Sequence, residues 1–529
     1  MKFKKSKILV LVWLMALFTP LSSCDEDKLE IVNPNTVSQD AFFSSESDFR
    51  LAVNGMIHPI TAVLFWGRVV HTGALQRSDA FNVVPFQQNT TMATLIGQPG
   101  DRWAVDMLPQ LYQTIRRANT IIEEAAEVDD EVLSSDIRGE IVGQAYYMRA
   151  FAHWYLGAFY GNVPIVLNVA ASSEDTFPLQ STQTEVFNAV IADLTEAANT
   201  LPATWPAEDA GRPTSGAALA LRGKTNLFLG NISAAASDIQ AVVNSGTYAL
   251  LPAAQYEENF GTGDTENNAE SVFELQFAPQ DNFVWGADVP QTGSQTNFHI
   301  DYSPPTLSLD PGHFINPHIL QVFEDNGDTV RRNATIAFDY PGATGYGGLP
   351  FTEDFAADIS SAADFGVEAL FTRKYSGMDS GLTRAEIPGF GQILGNNWRI
   401  IRYADVLLML AEALNETGDQ AGAVALINQV RERALIDPII TVGSQQEVFD
   451  AIVDERIMEL TGEGHRFLDL VRWGLADDVM GQGSTIANGR HPKSLAGPTA
   501  FFTVNQDEII WIPTQELNAN PNLVQNPGY

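Results

Sequence analysis

The sequence predicts a mainly α-helical protein: helical hairpins form a superhelical scaffold that carries a large loop-rich insertion with short strands. Three observations lead there. Apolar residues recur at spacings of three and four through several long segments. The pairs Gly230-Asn231 and Gly418-Asp419 each divide such a segment into two runs. Between about Pro252 and Asn397 the helical pattern gives way to sequence rich in Gly, Pro, Asn, Asp and Ser. With 529 residues, 45% of them hydrophobic and 10% aromatic, the chain has the composition of a folded protein, and stacked helical layers can form one body of this length.

The N-terminus comes first. Lys2, Lys4, Lys5 and Lys7 precede a continuously apolar run from Ile8 to Phe18, the layout of a secretory signal over 1–23. The run is too short to span a bilayer, which takes roughly 20 apolar residues. Ser22 and Ser23 lead into Cys24, the single cysteine of the chain, and the stretch resembles a bacterial lipobox, in which the thiol is alkylated by a lipid. Cys24 is thereby assigned as a lipid anchor, and with no second cysteine the body must be held by its core alone. Residues 24–40 read as an acidic tether, since a stretch such as "EDKLEIVNPN" folds poorly alone. The remainder, 41–529, reads as one body, with helical scaffold over about 41–250 and 398–480, a loop-rich ligand-facing region over about 252–397, and a C-terminal segment over 481–529.

Within the scaffold, "EIVGQAYYMRAFAHWYLGAFYGNVPIV" places Ile141, Ala145, Met148, Ala152, Tyr155 and Phe159 on one helical stripe that Gly161 and Pro164 end. Its other faces are also apolar, so the helix is expected between neighbours, with Trp154 in the core. Thr182 with Glu185, and Ser444 with Glu447, form capping boxes ahead of two further helices. "AALALRGKTNLFLGNISAAASDIQAVVNSG" reads as a helical pair, as does "RIIRYADVLLMLAEALNETGDQAGAVALINQVRERA", whose first member is striped by Ile400, Ala404, Leu407, Ala411 and Leu414. These hairpins, with "WYLGAFY", resemble tetratricopeptide units without a strict period. In the insertion, "SVFELQF" is strand-like.

No catalytic motif stands out. The 65 carboxylates make chance acid and base pairs common, so a glycosidase pair carries no signal. There is no H-E-x-x-H, and Pro317 interrupts His313 and His318. "GATGYGG" lacks the Lys and Ser/Thr of a phosphate loop, and "EDNGDT" departs from calcium-loop spacing, so both read as turns. Glu463, His465, Arg466 and Asp469 crowd together in "GEGHRFLDLVRW", and Trp473 beside them reads as core. No cofactor and no metal is expected. A net charge of −35 argues against nucleic acid and polyanionic sugars and favours neutral ligands.

Six strings then carry a family likeness: "QAYYMRAFAHWYLGAFYGNVPIV", "GRPTSGAALALRGKTNLFLGN", "NWRIIRYADVLLMLAEALNETG", "INQVRERA", "DERIMELTGEGHRFLDLVRWG" and "IWIPTQELNANPNLVQNPGY". In this order, behind the lipobox, the chain resembles the SusD/RagB-like nutrient-binding lipoproteins, the starch-utilisation-system D family. Asp25, Glu26 and Asp27 resemble the surface-export signal of Bacteroidota-type lipoproteins. The resemblance implies a non-enzymatic, lipid-anchored protein at the outer-membrane surface, which captures an oligosaccharide as a hinged lid on a SusC-like TonB-dependent transporter. A peptide ligand, and outside the family a secreted glycoside hydrolase, remain alternatives.

Sugar recognition needs an apolar face for the C–H side of a pyranose and fixed polar groups for its hydroxyls. Trp285 has a loop setting with Asn282, Asp288 and Gln291 close in sequence, so Trp285 and Asn282 are candidate ligand contacts. "LQRSDAFNVVPFQQN" supplies a second set, Arg77, Asp79, Phe86 and Asn89, on composition and on its resemblance to a ligand-contacting loop of the family. Trp66, ahead of it, reads as packing.

Overall fold

The computed structural model describes residues 42–62, 65–66, 70–82, 92, 95, 97, 102–172, 174–278, 302, 304–307, 314–387, 394–482, 484 and 501–529. Cys24 and the whole of 1–41 lie outside them. The chain divides into a short unit, Met1–Asp48, and a compact unit, Phe49–Tyr529. In the first, the Ser45 hydroxyl donates to Asp48 Oδ2 at 2.6 Å.

Helices dominate the N-terminal half: α1 Glu46–Ile57, α2 His71–Gln76, α3 Arg102–Glu127, α4 Ser135–Tyr160, α5 Gln183–Thr200, α6 Ser215–Phe228 and α7 Ile232–Asn244. Strands β1 Phe81–Asn82, β2 Val163–Pro164 and β3 Gln180–Ser181 are short. Helix α4 is the axis of this half, buried on nearly every side as its sequence requires, and it ends at Gly161, whose φ of 70° suits glycine. Its own glycines let α5 come close: a Cβ on Gly143 would lie 2.5 Å from Thr200 Oγ1. Buried Arg149 forks onto Asp193 of α5 at 2.8 and 2.7 Å and donates to Asn119 of α3 at 2.8 Å, so one guanidinium joins three helices. Trp154 is buried, and Trp66 packs edge-on to Tyr155 at 4.9 Å. Both capping boxes form, and Gly230, at a φ of 72°, turns α6 into α7.

The insertion is more structured than its composition suggests. It holds β4 Ser271–Leu275, β5 Phe314–Ile315, α8 Pro317–Asp325, α9 Thr329–Thr335, β6 Ile336–Ala337, α10 Phe351–Asp354, α11 Ala356–Phe365 and β7 Phe371–Thr372. Pro317 opens α8 rather than breaking a helix, because the missing N–H costs nothing at a first turn. "EDNGDT" is a turn in which Asp328 caps α9 by accepting from Arg331 N at 3.0 Å. Strands β1, β5, β7 and β6 form an antiparallel sheet in that order.

The C-terminal part contains β8 Trp398–Arg402, α12 Tyr403–Glu416, α13 Gln420–Arg433, α14 Gln445–Leu460, α15 Arg466–Arg472, α16 Ala476–Met480 and α17 Thr514–Ala519. Ile400 corrects the sequence reading: it belongs to β8, not to the helix that starts at Tyr403. The β-branched pair Ile400-Ile401 suits an extended edge, and β8 pairs with β4, Ser271 opposite Arg402 and Leu275 opposite Trp398. Trp473 is a second correction. It is half-buried, donating Nε1 to Glu412 at 3.1 Å under the Arg472 guanidinium, because its polar edge finds a carboxylate. The last residues return to α4: Ile510 N donates to Phe159 O at 2.7 Å, and Asn526 Nδ2 to Tyr160 O at 2.8 Å.

Charge, not only apolar area, decides how these parts meet. Arg402 reaches Glu270 at 2.5 Å, Glu459 at 2.8 Å and Glu463 at 2.7 Å. Arg433 bridges Glu270 and Glu459, Lys374 meets Glu463 at 2.8 Å, Arg331 holds Asp328, Glu455 and Glu459, and Arg431 meets Glu455 at 3.2 Å. Five cations thus face five carboxylates, nearly all fully buried, and the cluster is neutral although the chain carries −35. A second cluster balances Arg456, Arg472 and Lys224 against Asp405, Asp469 and Glu412. Burial pushes the Glu459 carboxyl upward, but Arg433, Arg402 and Arg331 outweigh it and hold that group well below the usual range. Removing one partner leaves buried charge uncompensated, so Arg402→Met is expected to cost about 3–5 kcal/mol in urea unfolding at pH 7. A loss below about 1 kcal/mol would contradict this account of the cluster.

Two buried imidazoles set the response to acid. Burial and then Arg149 push His153 down to about 3, and burial and then Lys224 push His465 down to about 4. Lys224 Nζ donates to His465 Nδ1 at 3.0 Å, which requires a neutral ring. Both rings bind protons more readily in the unfolded chain, so their contribution is complete above about pH 6.5 and is lost with acidification down to about pH 4 for His465 and about pH 3 for His153. Urea unfolding between pH 6 and pH 5 is expected to slope by about 1.4 kcal/mol per pH unit for each histidine, and His465→Gln should remove one share.

Candidate carbohydrate-binding face

The four-stranded sheet is the frame from which the loop-rich face departs. Residues 83–101 follow β1, 308–313 precede β5 and 338–350 follow β6. Behind the sheet, Phe314, Phe351, Phe355, Phe371 and Tyr346 form an aromatic core, with Phe351 and Phe355 stacked at 4.4 Å. Tyr375 and Trp398 stack at 4.4 Å and carry Tyr302 against them.

Arg384 fixes the outer rim. It meets Asp354 at 2.7 Å and Asp358 at 2.8 Å, donates to Thr306 Oγ1 at 2.7 Å, and lies 4.4 Å over the Phe355 ring. Asp358 also accepts from Thr306 N at 2.7 Å, so one guanidinium and two carboxylates tie residues 304–307 to α10 and α11. On the solvent side is an open cavity of about 590 Å³ lined by Asp339, Tyr340, Pro341, Thr344, Pro350 and Thr352. Half-buried Tyr340 lies 5.1 Å from Phe338, and the Arg332 guanidinium sits 5.2 and 5.4 Å over the two rings. Fixed rings beside a guanidinium, an exposed carboxylate and hydroxyls can take the C–H face and the hydroxyls of a sugar.

Nearby, burial pushes Glu257 up to about 7, and the facing Asp379 adds to the effect; Arg373 meets both carboxyls, at 3.6 and 2.6 Å. The two carboxyls share a hydrogen bond, whereas glycosidase pairs stand about 5 Å or more apart around the sugar. Among the described residues, no group of three or more His, Cys, Asp and Glu is arranged to hold a metal ion.

The sequence candidates divide. Trp285, Asn282, Phe86 and Asn89 lie outside the described residues, as does Cys24. Arg77 and Asp79 are fully buried. Asp79 takes a forked pair from Arg466, both bonds at 2.9 Å, and lies 3.1 Å from His318 Nε2. Burial alone would raise its pKa, but Arg466 and His318 hold it well below the usual carboxylate range. Arg77 donates to the carbonyl of Asp507 and lies 4.6 Å over the Phe467 ring. The pair therefore locks the stretch ahead of β1 to α15 and the C-terminal segment. Phe338, Tyr340 and Arg332 were missed. The signal was "AFDYPGATGYGG", where two aromatics enter a Pro- and Gly-rich turn.

Two family models match: one described as "SusD family" over residues 369–529, the other as "Starch-binding associating with outer membrane" over 78–227. A SusD-like protein P2 of Formosa agariphila is 28% identical over 99% of this chain and 100% of its own. A SusD-like protein of Bacteroides ovatus is 24% identical, over 89% of this chain and 83% of its own. Among solved structures, a SusD superfamily protein from Bacteroides vulgatus aligns with a TM-score of 0.78 at 26% identity, covering 92% of this chain and all of that one. A laminarin-binding SusD-like protein aligns at 0.71 with 24% identity, over 92% and 99%, a likeness of fold.

The burial of Asp79 has a direct consequence. Asp79→Ala leaves Arg466 without its carboxylate and is expected to cost about 3–5 kcal/mol, read as a lowered melting temperature of the full chain. An unchanged melting temperature together with lost glycan binding would give Asp79 a ligand role instead.

Proposed function

The chain belongs to the SusD family, and from that premise we propose that it is a surface-exposed lipoprotein that captures an oligosaccharide and delivers it to a TonB-dependent outer-membrane transporter as a hinged lid. The observation that carries this reading is that family matches flank the insertion on both sides, 78–227 and 369–529, while the open aromatic cavity lies between them. Tyr340 and Phe338 supply an apolar platform, Arg332 and Asp339 polar partners. Trp285, Asn282, Phe86 and Asn89 are assigned as further ligand contacts, and Arg77 and Asp79 as the groups that hold the base of the Phe86–Asn89 stretch. The acidic charge favours a neutral glycan.

The protein acts by binding, not by catalysis. The raised carboxyls at Glu257 and Asp379 touch each other and are paired with Arg373, which leaves no room for a sugar between them. Attachment is assigned to Cys24, which follows the basic and apolar run of residues 2–18; among the described residues no helix is long and apolar enough to cross a membrane. Acyl burial contributes about 0.8 kcal/mol per CH₂.

One set of preparations tests the proposal. The wild type is expected in the outer-membrane fraction and, after mild-detergent extraction, together with a large barrel; Cys24→Ala, in cells lacking that barrel, is expected in the soluble fraction. In gels containing starch, laminarin or another neutral polysaccharide, the protein should be retarded without product release. Tyr340→Ala should weaken retardation about thirtyfold at unchanged melting temperature. Released sugars would overturn the binding reading, and capture of peptides in place of all glycans would select the peptide-binding alternative.

A further inference from the structure

A second cavity lies on the scaffold, in the connection between α5 and α6. That connection, "LPATWPAEDAGRPT", carries three prolines and Gly211, whose φ of 88° demands glycine. Beside it opens a groove of about 260 Å³ lined by Trp205, Arg212, Tyr248, Asn267, Asn268 and Glu274, among others. None of these residues belongs to the Tyr340 face.

Both rings are fixed by their polar edges. Trp205 Nε1 donates to Pro213 O at 2.8 Å, and the Tyr248 hydroxyl pairs with Thr214 Oγ1 at 2.7 Å. Each ring is nonetheless only half-buried, so its apolar surface stays at the groove while its polar atom is satisfied in the fold. Arg212 is held in one pose, with Nε on Asp209 at 2.6 Å and Nη1 on Gln144 at 3.0 Å. Asn267 adopts a φ of 51°, rare for a side-chain-bearing residue, and exchanges amide bonds with Gln276 at 2.9 and 3.0 Å. Glu274 is neutralised from behind by Arg399 at 3.0 Å. A Trp that only anchored its connection would need no such wall of oriented polar groups around an open space.

We propose that this groove is a second carbohydrate site that takes a single neutral sugar ring, with Trp205 and Tyr248 against its C–H surface and the Arg212 and Asn267 groups on its hydroxyls. The size favours one ring, because the volume falls below the roughly 300–1,000 Å³ of sites that enclose larger ligands. The charge of the chain disfavours an anionic sugar. This inference rests on the glycan-binding reading but not on the Tyr340 face.

The test is saturation-transfer NMR on the full chain with glucose, galactose, mannose and xylose. At least one sugar is expected to receive transfer from wild type and from Tyr340→Ala. Thr247→Trp, which fills the groove, and Trp205→Ala, which removes its platform, should each abolish that transfer. Both variants are checked for a wild-type melting curve, and the site is supported only if every variant that keeps that curve loses the signal. No transfer to any of the four sugars, or transfer that survives in a folded variant, overturns it. Retardation by polysaccharide, measured in parallel, is expected to survive Thr247→Trp. Its absence from wild type would count against the glycan-binding function itself, so the two failures are distinct.

Discussion

The fold depends on a buried ionic lattice centred on Arg402. That side chain stands at the junction of β8 and α12 and touches carboxylates 132, 57 and 61 residues away along the chain. Arg433, Lys374 and Arg331 extend the lattice to α13, to the stretch after β7, and to α9. Desolvating so many charges costs several kcal/mol per ion, and the cost is offset only when every charge meets an opposite one at hydrogen-bond distance. A shifted helix would break several of these pairs at once and leave buried charge uncompensated. The lattice therefore adds directional, charge-by-charge contacts to the close packing between the α12–α14 layers and the insertion.

From those contacts follows the placement of the face proposed to bind glycan. Lys374 is two residues beyond β7, and Arg331 precedes β6, so the lattice fixes β7 and its partner β6, from which the Tyr340 turn departs. Asp79 with Arg466, and Arg77 over Phe467, fix β1 from the other side. Arg384 then binds the rim. The described parts of that face thus depart from fixed roots, the arrangement in which rigid scaffolds commonly carry loops that bind.

The helical half was legible because its signals are local. Capping boxes, glycine stops and apolar stripes lie within one turn or two, and α4, α5 and α14 form where they place them. Ile400 was misplaced for the same reason: its spacing fits the following helix, and only the distant β4 reveals a strand. The partners of Arg77, Asp79 and Arg402 are hundreds or tens of residues away, so a cluster such as "QRSDAFN" offers the same letters whether it meets a ligand or the protein interior. Tyr340 and Trp205 shared a readable sign, an aromatic in a Pro- and Gly-rich connection, but that sign does not tell a platform from an anchor. Two of the strings that carried the family likeness hold buried ionic groups: "DERIMELTGEGHRF" has Glu455, Glu459 and Glu463, and "NWRIIRYAD" has Arg402 of the lattice and Asp405 of the second cluster.

Amide hydrogen exchange on the full chain, with and without a polysaccharide that retards it, tests the central claim that a rigid, charge-locked scaffold presents a separate glycan face. The account expects slow exchange in 398–416 and 455–463 in both states, with ligand-induced protection at 338–352 and the stretches 83–101 and 279–313. Ligand-induced protection confined to the lattice helices, or none on the Tyr340 turn, would contradict it.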